Sequence, residues 1–188
     1  MICNSEVNAL NYDSDTGHVR SLSILGKFGK DVECDAVVLC SGAATSWLLY
    51  STLGTFAPLV SLRGITFDFK TTMENQGKHM IFEDEGLITT QIQDGIWRVS
   101  GYGDLAGYDK NYDKRRVFNL VRLVAKVFDS KEPGQTLNLN TYLRTCTPDD
   151  VPVVGPLRHF PNVFINSGHG GRSAAVSIGS SKLCSEII

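Results

Sequence analysis

Near the end of its 188 residues the chain reads "NVFINSGHGGRSAAVSIG". An apolar, strand-like run (Asn162–Ser167) meets three glycines around His169, and small residues at helical spacing follow. An earlier stretch, "AVVLCSGAATSWLLYSTLG", repeats that order. Its apolar run from Ala36 to Cys40 enters a glycine turn, and a short helix from Thr45 to Leu53 is stopped by Gly54. A strand that is apolar without alternation suits a place covered on both faces. Two strand–turn–helix units of this kind call for a sheet with helices packed on it.

The rest of the chain follows the other period. "EVNALNY", "HVRSLSIL" and "VECDAVVLC", separated by the turns "DSDTG" and "GKFGK", read as three successive strands, the last running through Cys40. "VSLRGITFDF", "KHMIF", "LITTQIQ" and "IWRVSGYGDL" then alternate as antiparallel strands do, and Asp94-Gly95 is a two-residue hairpin signal. The clearest helix is Asn111–Phe128, with Val117, Leu120, Val121, Val124 and Phe128 on one face. Asp129–Gly134, with Pro133, should end it, and "YLRTCTPDDVPVVGP" reads as turn-rich. The expected fold class is α/β of mixed α+β content, divided as residues 1–53, an inserted antiparallel lobe 54–140, and a return at 141–188.

Several function classes fall away. A formal net charge of −2 without a Lys/Arg cluster argues against nucleic-acid binding. Five cysteines, odd in number and never paired as C-x-x-C, fit a reducing compartment, and four scattered histidines suggest no metal site. The longest apolar runs, "AVVLC" and "WLLY", are too short to span a bilayer, so no transmembrane segment is expected. "MICNSEVNAL" lacks the features of a signal peptide. A soluble intracellular protein, cytoplasmic by default, is the expectation, with a peripheral membrane or mitochondrial setting left open.

Four stretches invite a chemical reading. "GYGDLAG" (Gly101–Gly107) imitates a dinucleotide fingerprint, but its last gap is one residue too long and no helix opens after it. "CSGAAT" (Cys40–Thr45) follows a strand and opens a helix, which suits a structural turn and a ligand turn equally. "SGHGGRSAAVSIG" is richer, because Gly168, Gly170 and Gly171 admit a ligand close to the backbone. The amides of Gly170, Gly171, Arg172 and Ser173 would be orphan donors at a positive helix end, suited to a phosphate or an electron-rich ring. His169 alone reads as a hydrogen-bonded turn residue. Arg144, in "YLRTCTPDD", is of the type that clamps a carboxylate, yet a surface or salt-bridged arginine is the commoner reading, and Arg63 in "LRGI" carries the same one.

Taken in order, "CDAVVLCSGAATSWLL", "LVSLRGITFDF", "WRVSGYGDLAGYD" and "LRTCTPDDVPVVGPLRHFPNVFINSGHGGRSAAVSIG" resemble the FAD-dependent amino-acid oxidoreductases. These include D-amino-acid dehydrogenases and oxidases, glycine oxidase and sarcosine oxidase, with the D-amino-acid dehydrogenase branch most similar. The resemblance covers nearly the whole chain. It implies that residues 1–53 and 141–188 belong to a Rossmann-like FAD-binding domain and that 54–140 is its substrate lobe. It further implies that Arg144 binds the carboxylate of an amino-acid substrate. FAD would be met by Gly42 and Ala43 in the first turn, and by Gly168, His169, Gly170, Gly171, Arg172 and Ser173 in the second.

Three residues depart from the family pattern: Thr145 and Ser173 stand where a proline and a glycine are usual, and Asp150 stands at the glycine of "TPDG". Family members also begin with a strand and G-x-G-x-x-G turn that hold the pyrophosphate, and no such turn occurs in these residues. The expectation is therefore the C-terminal portion of a longer flavoenzyme, with an exposed sheet edge that favours self-association. The rival expectation is a non-catalytic module that binds no flavin and acts as a subunit or interaction surface.

Overall fold

A computed structural model of the chain describes residues 1–27, 29–70, 79–128 and 136–188. The structure is mixed α/β and separates into two compact units, Met1–Val60 with Arg144–Ile188, and Ser61–Leu143. Among the described residues no helix is long and apolar enough to cross a membrane.

The first unit opens with an antiparallel sheet of β1 (Ser5–Tyr12), β2 (Val19–Gly26) and β3 (Asp31–Glu33), paired in chain order. The first turn forms because the Asp13 carboxylate accepts the amides of Asp15 and Thr16 at 3.0 and 3.1 Å, while Gly17 takes a φ of 71°. In the second expected turn, "GKFGK", Phe28 lies outside the described residues. A second sheet contains β4 (Val37–Leu39), β10 (Val153–Leu157) and β11 (Phe160–Ser167) in the order β10-β11-β4. β4 runs parallel to β11 and β10 antiparallel to it.

The expected single strand from Val32 to Cys40 is thus two strands in two sheets. A side chain more than a hundred residues away explains the break. Asn162, buried on β11, donates to Val19 O at 2.8 Å and Asp35 O at 2.9 Å, and its own oxygen accepts the Val19 amide at 2.9 Å. The part-buried Asp35 carbonyl, satisfied by this side chain, needs no strand partner, and the chain changes sheets at Asp35.

Helix α1 (Ala44–Leu53) ends where expected: Gly54 is left-handed at φ 61°, and the amides of Gly54 and Thr55 return to Tyr50 O and Leu49 O. Leu48, Leu49 and Leu53 pack with Leu10, Val19, Val37, Leu39, Val163 and Ile165 as the core of this unit. Coverage of both faces of Ala36–Cys40 is not found. Val37 and Leu39 are buried, but Val38 is 40% exposed and Cys40 is exposed. The segment "YLRTCTPDDVPVVGP" also departs from expectation, since it carries the end of β9 (Thr136–Cys146) and all but the last residue of β10. Alternating β-formers outweigh its prolines there, and Pro156 tolerates the strand because β10 is an edge.

The second unit is a five-stranded sheet in the order β6-β7-β8-β5-β9, antiparallel from β6 to β5, with β5 (Val60–Lys70), β6 (His79–Phe82), β7 (Leu87–Gln93) and β8 (Ile96–Leu105). Gly95 turns the expected hairpin at φ 67°, and "GYGDLAG" falls on the end of β8 and the turn after it. Of "KHMIF", Lys78 lies outside the described residues. Helix α2 (Lys114–Val127) starts three residues later than expected, because Asp113 caps it by accepting the Arg115 amide at 2.8 Å. The proposed terminator Asp129–Gly134 lies outside the described residues. Leu120, Val124 and Phe128 are buried against Ile65, Phe67, Phe69, Leu87, Trp97 and Val99, with Val117 and Val121 partly buried beside them. Phe128 meets the rings of Phe69 and Trp97 edge-on at 5.2 Å.

One buried charge organises this sheet. Asp68, 2% exposed, accepts Arg98 Nε at 2.8 Å and Nη2 at 3.1 Å, and Asn138 Nδ2 at 3.0 Å. The Arg98 hydrogen bonds hold its carboxyl below the ordinary value, outweighing burial, which pushes it up. A depressed folded-state value means the contribution is complete above about pH 4 and is lost as pH falls through the folded-state value. Asp68→Ala should destabilise the unit by about 2–3 kcal/mol, measured by urea unfolding at neutral pH, with the difference from the unsubstituted protein shrinking in acid. A pH-independent difference would show that the ion pair is not its source.

Candidate functional site

Within the first unit, the end of β9 lies between two glycine turns. Cys146 forms an isolated antiparallel bridge with His169, which fixes the strand end beside the turn after β11. Three contacts then follow from three missing side chains. A Cβ on Gly171 would stand 3.6 Å from Arg144 Nη1, one on Gly170 would stand 3.5 Å from Cys146 Sγ, and one on Gly42 would stand 3.3 Å from Thr145 Oγ1. Arg144, Gly42, Gly170 and Gly171 are therefore brought together, although they are far apart in sequence.

The two turns differ in construction. In the first, Gly42 is left-handed at φ 59° and Ala43 precedes α1 with helical angles, contributing no capping side chain. Ala44 and Thr45 donate the first backbone bonds, to Ser41 O and Gly42 O, and the hydroxyls of Ser41 and Thr45 meet at 2.9 Å. In the second, the expected α-helical start at Gly170 is a 3₁₀ turn, Gly170–Arg172, and α3 (Ser173–Ile187) begins one turn later. The Arg172 amide is spent inside that turn, donating to His169 O at 3.1 Å, so it is not one of the orphan donors the sequence suggested. Ser173 has ordinary helical angles (φ −50°), so the backbone asks for no glycine there. His169 Nε2 lies 2.8 Å from Ser180 Oγ, which itself donates to Ser177 O, so the ring is fastened to α3. Neither α1 nor α3 has a capping side chain or an acidic residue in its first turn.

Gly168 has a packing role of its own. It sits at φ 84°, and a Cβ would come within 2.7 Å of Thr147 Cγ2 and 3.0 Å of Leu59 Cδ2. Gly168→Ala combines a left-handed penalty of about 1–2 kcal/mol with overpacking of about 1–3 kcal/mol. A loss of roughly 2–4 kcal/mol is expected in chemical denaturation, and a loss below about 1 kcal/mol would mean that Thr147 and Leu59 yield freely.

Sequence reasoning missed the charges around this turn. Asp150, which stands where the family pattern has a glycine, is left-handed at φ 62°, at a cost of about 1 kcal/mol. Arg172 Nη2 donates to Asp150 O at 2.8 Å and reaches its carboxylate at 3.3 Å, while Asp150 Oδ1 lies 3.4 Å from where a Gly170 Cβ would stand. Burial pushes the Cys146 thiol up, the Arg144 charge pulls it down and Asp150 adds a smaller rise. The Val151 amide holds the Asp149 carboxyl below its usual value. Only the charge of Asp150 and Arg172 was legible beforehand, because nothing local announces a pairing across 22 residues. Arg63, by contrast, meets the salt-bridge expectation in the second unit, contacting Asp104 at 3.6 Å, Asp109 at 3.3 Å and Asn111 O.

Residues 1–187 match the family model described as DAO, FAD dependent oxidoreductase. The D-amino acid dehydrogenase of Granulibacter bethesdensis is 31% identical over 160 residues, covering 84% of this chain and 38% of that protein. The corresponding figures for the D-amino acid dehydrogenase of Neisseria meningitidis serogroup C are 29% over 158 residues, 83% and 37%. This chain therefore spans less than two-fifths of the length of these relatives. Glycine oxidase from Geobacillus kaustophilus superposes with a TM-score of 0.81 at 17% identity, over 97% of this chain and 47% of that one. L-proline dehydrogenase from P. horikoshii gives 0.80 at 16% identity, over 97% and 48%. Likeness at that identity speaks for the fold alone, whereas the match over residues 1–187 speaks for descent: the chain belongs to the DAO family of FAD-dependent oxidoreductases.

Proposed function

We propose that these residues form the substrate-arginine and flavin-facing part of an enzyme that oxidises the Cα–N bond of amino acids, with D-amino acids as the leading class. The observation that carries this reading is Arg144 Nη1 lying 3.6 Å from the missing Cβ of Gly171. A cation suited to a carboxylate and a bare backbone turn occupy one place.

The residues fit FAD. The starts of α1 and α3 present positive dipole ends with no capping side chain to compete. Gly170, left-handed at φ 56°, and Gly171 leave backbone open to close approach beside Cys146 and Arg144. Gly42, Ala43, Gly168, His169, Gly170, Gly171, Arg172 and Ser173 are the residues proposed to hold it. FAD, when bound, supplies the hydride acceptor. Arg144 would fix the substrate carboxylate through two parallel hydrogen bonds and so orient the Cα–H bond. The amides of Gly170 and Gly171 would meet negative charge that develops beside the turn, an interaction strengthened where water is excluded. His169 is engaged with Ser180 and, in this reading, positions the turn rather than moving a proton. The imine product is hydrolysed by water to a 2-oxo acid and ammonia.

The test uses the chain joined to the portion of the fold that its relatives carry beyond it. Anaerobic addition of D-amino acids should bleach the flavin absorbance, and the matching 2-hydroxy acids should not. A yellow protein that no amino acid bleaches overturns the substrate class. A colourless one favours the second reading, a non-catalytic module that binds no flavin.

A further inference from the structure

The outer face of α2 carries charges that the fold does not use. Five of the chain's 18 Lys and Arg residues fall within its 14 residues, with no Asp or Glu, although the chain as a whole is net −2. Arg116 is accounted for, since it pairs with Asp104 and its guanidinium lies 4.2 Å from the centroid of the Tyr102 ring. The other four, Lys114, Arg115, Arg122 and Lys126, are exposed, and among the described residues none of them has an ion-pair partner. Asp113, which precedes them, is engaged in capping the helix. Lys114 and Arg115 also stand in the first turn, where the positive end of the helix dipole disfavours cations. Helix stability gives no reason for them.

Scattered along the sequence, the four cations are gathered by the helical turn. Lys114 and Arg115 lie one turn before Phe118, Arg122 one turn after it and Lys126 one turn further, a stripe about 18 Å long. Leu120, Val124 and Phe128 bury the opposite face of the helix in the core. Phe118, within the stripe, is 61% exposed, with the Arg122 guanidinium 5.9 Å from its ring centroid. We infer that this face of α2 is a docking surface for a lipid bilayer with anionic headgroups. The four cations meet the headgroup charges, and the Phe118 ring enters the apolar boundary between them. Charge complementarity names the occupant, because four Lys and Arg on one helix face are each attracted to a negative leaflet, and an exposed aromatic adds apolar burial. A protein partner suits the stripe less well. A helix face is convex and offers no pocket for a partner's anchor, and lysine is depleted at protein contacts. Fourteen residues carrying five charges lie on a bilayer rather than across it.

The experiment is partition onto vesicles, with no activity as readout, so its result is independent of the proposed chemistry. The full 188-residue chain is sedimented with vesicles of phosphatidylcholine alone, or of phosphatidylcholine with about one-third phosphatidylserine. Binding to the anionic vesicles should be at least about tenfold tighter, and should fall steeply between about 0.05 and 0.5 M salt. Arg115→Glu combined with Arg122→Glu should weaken it by at least about thirtyfold, and Phe118→Ala by about fivefold or more. Arg20→Glu combined with Lys182→Glu makes the same change of net charge at exposed positions of the other unit, and should leave binding within about threefold. Circular dichroism of each variant checks that it folds, and the lipid and salt dependence of the unsubstituted chain needs no variant. Equal binding to both vesicles, no binding to the anionic ones, or binding indifferent to the Arg115 and Arg122 substitutions overturns the inference. So does retention on immobilised polyglutamate by a chain that the vesicles do not bind, because the occupant would then be an acidic polypeptide.

Discussion

Arg144→Ala should raise KM for amino acids by roughly 30- to 1000-fold in a flavin-loaded protein containing these residues. The estimate rests on a charge-assisted, two-point contact worth about 2–4 kcal/mol, at about 1.4 kcal/mol per tenfold. Because the carboxylate is distant from the bond that breaks, the contact is equally present before and during the reaction. The loss should therefore fall on KM, with kcat changed far less. Arg144→Lys keeps the charge but gives up the planar fork, so its KM should lie between the two. An unchanged KM in the alanine variant would remove Arg144 from the substrate site and leave it a role in packing beside Gly171.

The second large effect concerns the cofactor. The 188-residue chain on its own should bind FAD at least a hundred times more weakly than the chain joined to the portion of the fold that its relatives carry beyond it. Its own turns, at Gly42 and Gly168, are proposed to touch two edges of the ligand. The pyrophosphate is the most highly charged part, and no G-x-G-x-x-G turn is present in these residues to receive it. Each charge-assisted bond lost is worth about 1.5–3 kcal/mol, so two of them amount to about 3–6 kcal/mol, or roughly 10²- to 10⁴-fold. Exposure of Val38 and Ile178 beside these turns adds to this, because a site on sparsely packed loops must be ordered by the ligand itself. Titration with FAD, followed by flavin fluorescence, should show no saturation at micromolar concentration. Stoichiometric micromolar binding would mean that the two turns suffice alone.

What could be read without the structure depended on range. The hairpin at Asp94-Gly95, the stop at Gly54 and the apolar face of α2 rest on residues within one turn of each other, and each is found in the structure. The same reasoning misplaced the start of α2, where Asp113 competes for the Arg115 amide, and overlooked β10 under its prolines. It also carried one strand across Asp35, where two exist. That last error has a definite cause, because Asn162 decides the break from the other end of the chain.

The candidate site divides along the same line. The sequence by itself determined which residue types were present and that the two glycine turns each open a helix, because strand period, turn chemistry and helix stops are local effects. The order of those segments was enough for the family. Only the tertiary structure decided that Arg144 lies beside Gly171, that Cys146 lies beside Gly170, and that Arg172 pairs with the left-handed Asp150. It alone decided that Ile178 of α3 faces outward, 82% exposed. The physical reason is that such pairings are set when distant segments pack. A guanidinium finds a bare backbone turn through the positions of two strand ends, and no spacing along the chain encodes those positions.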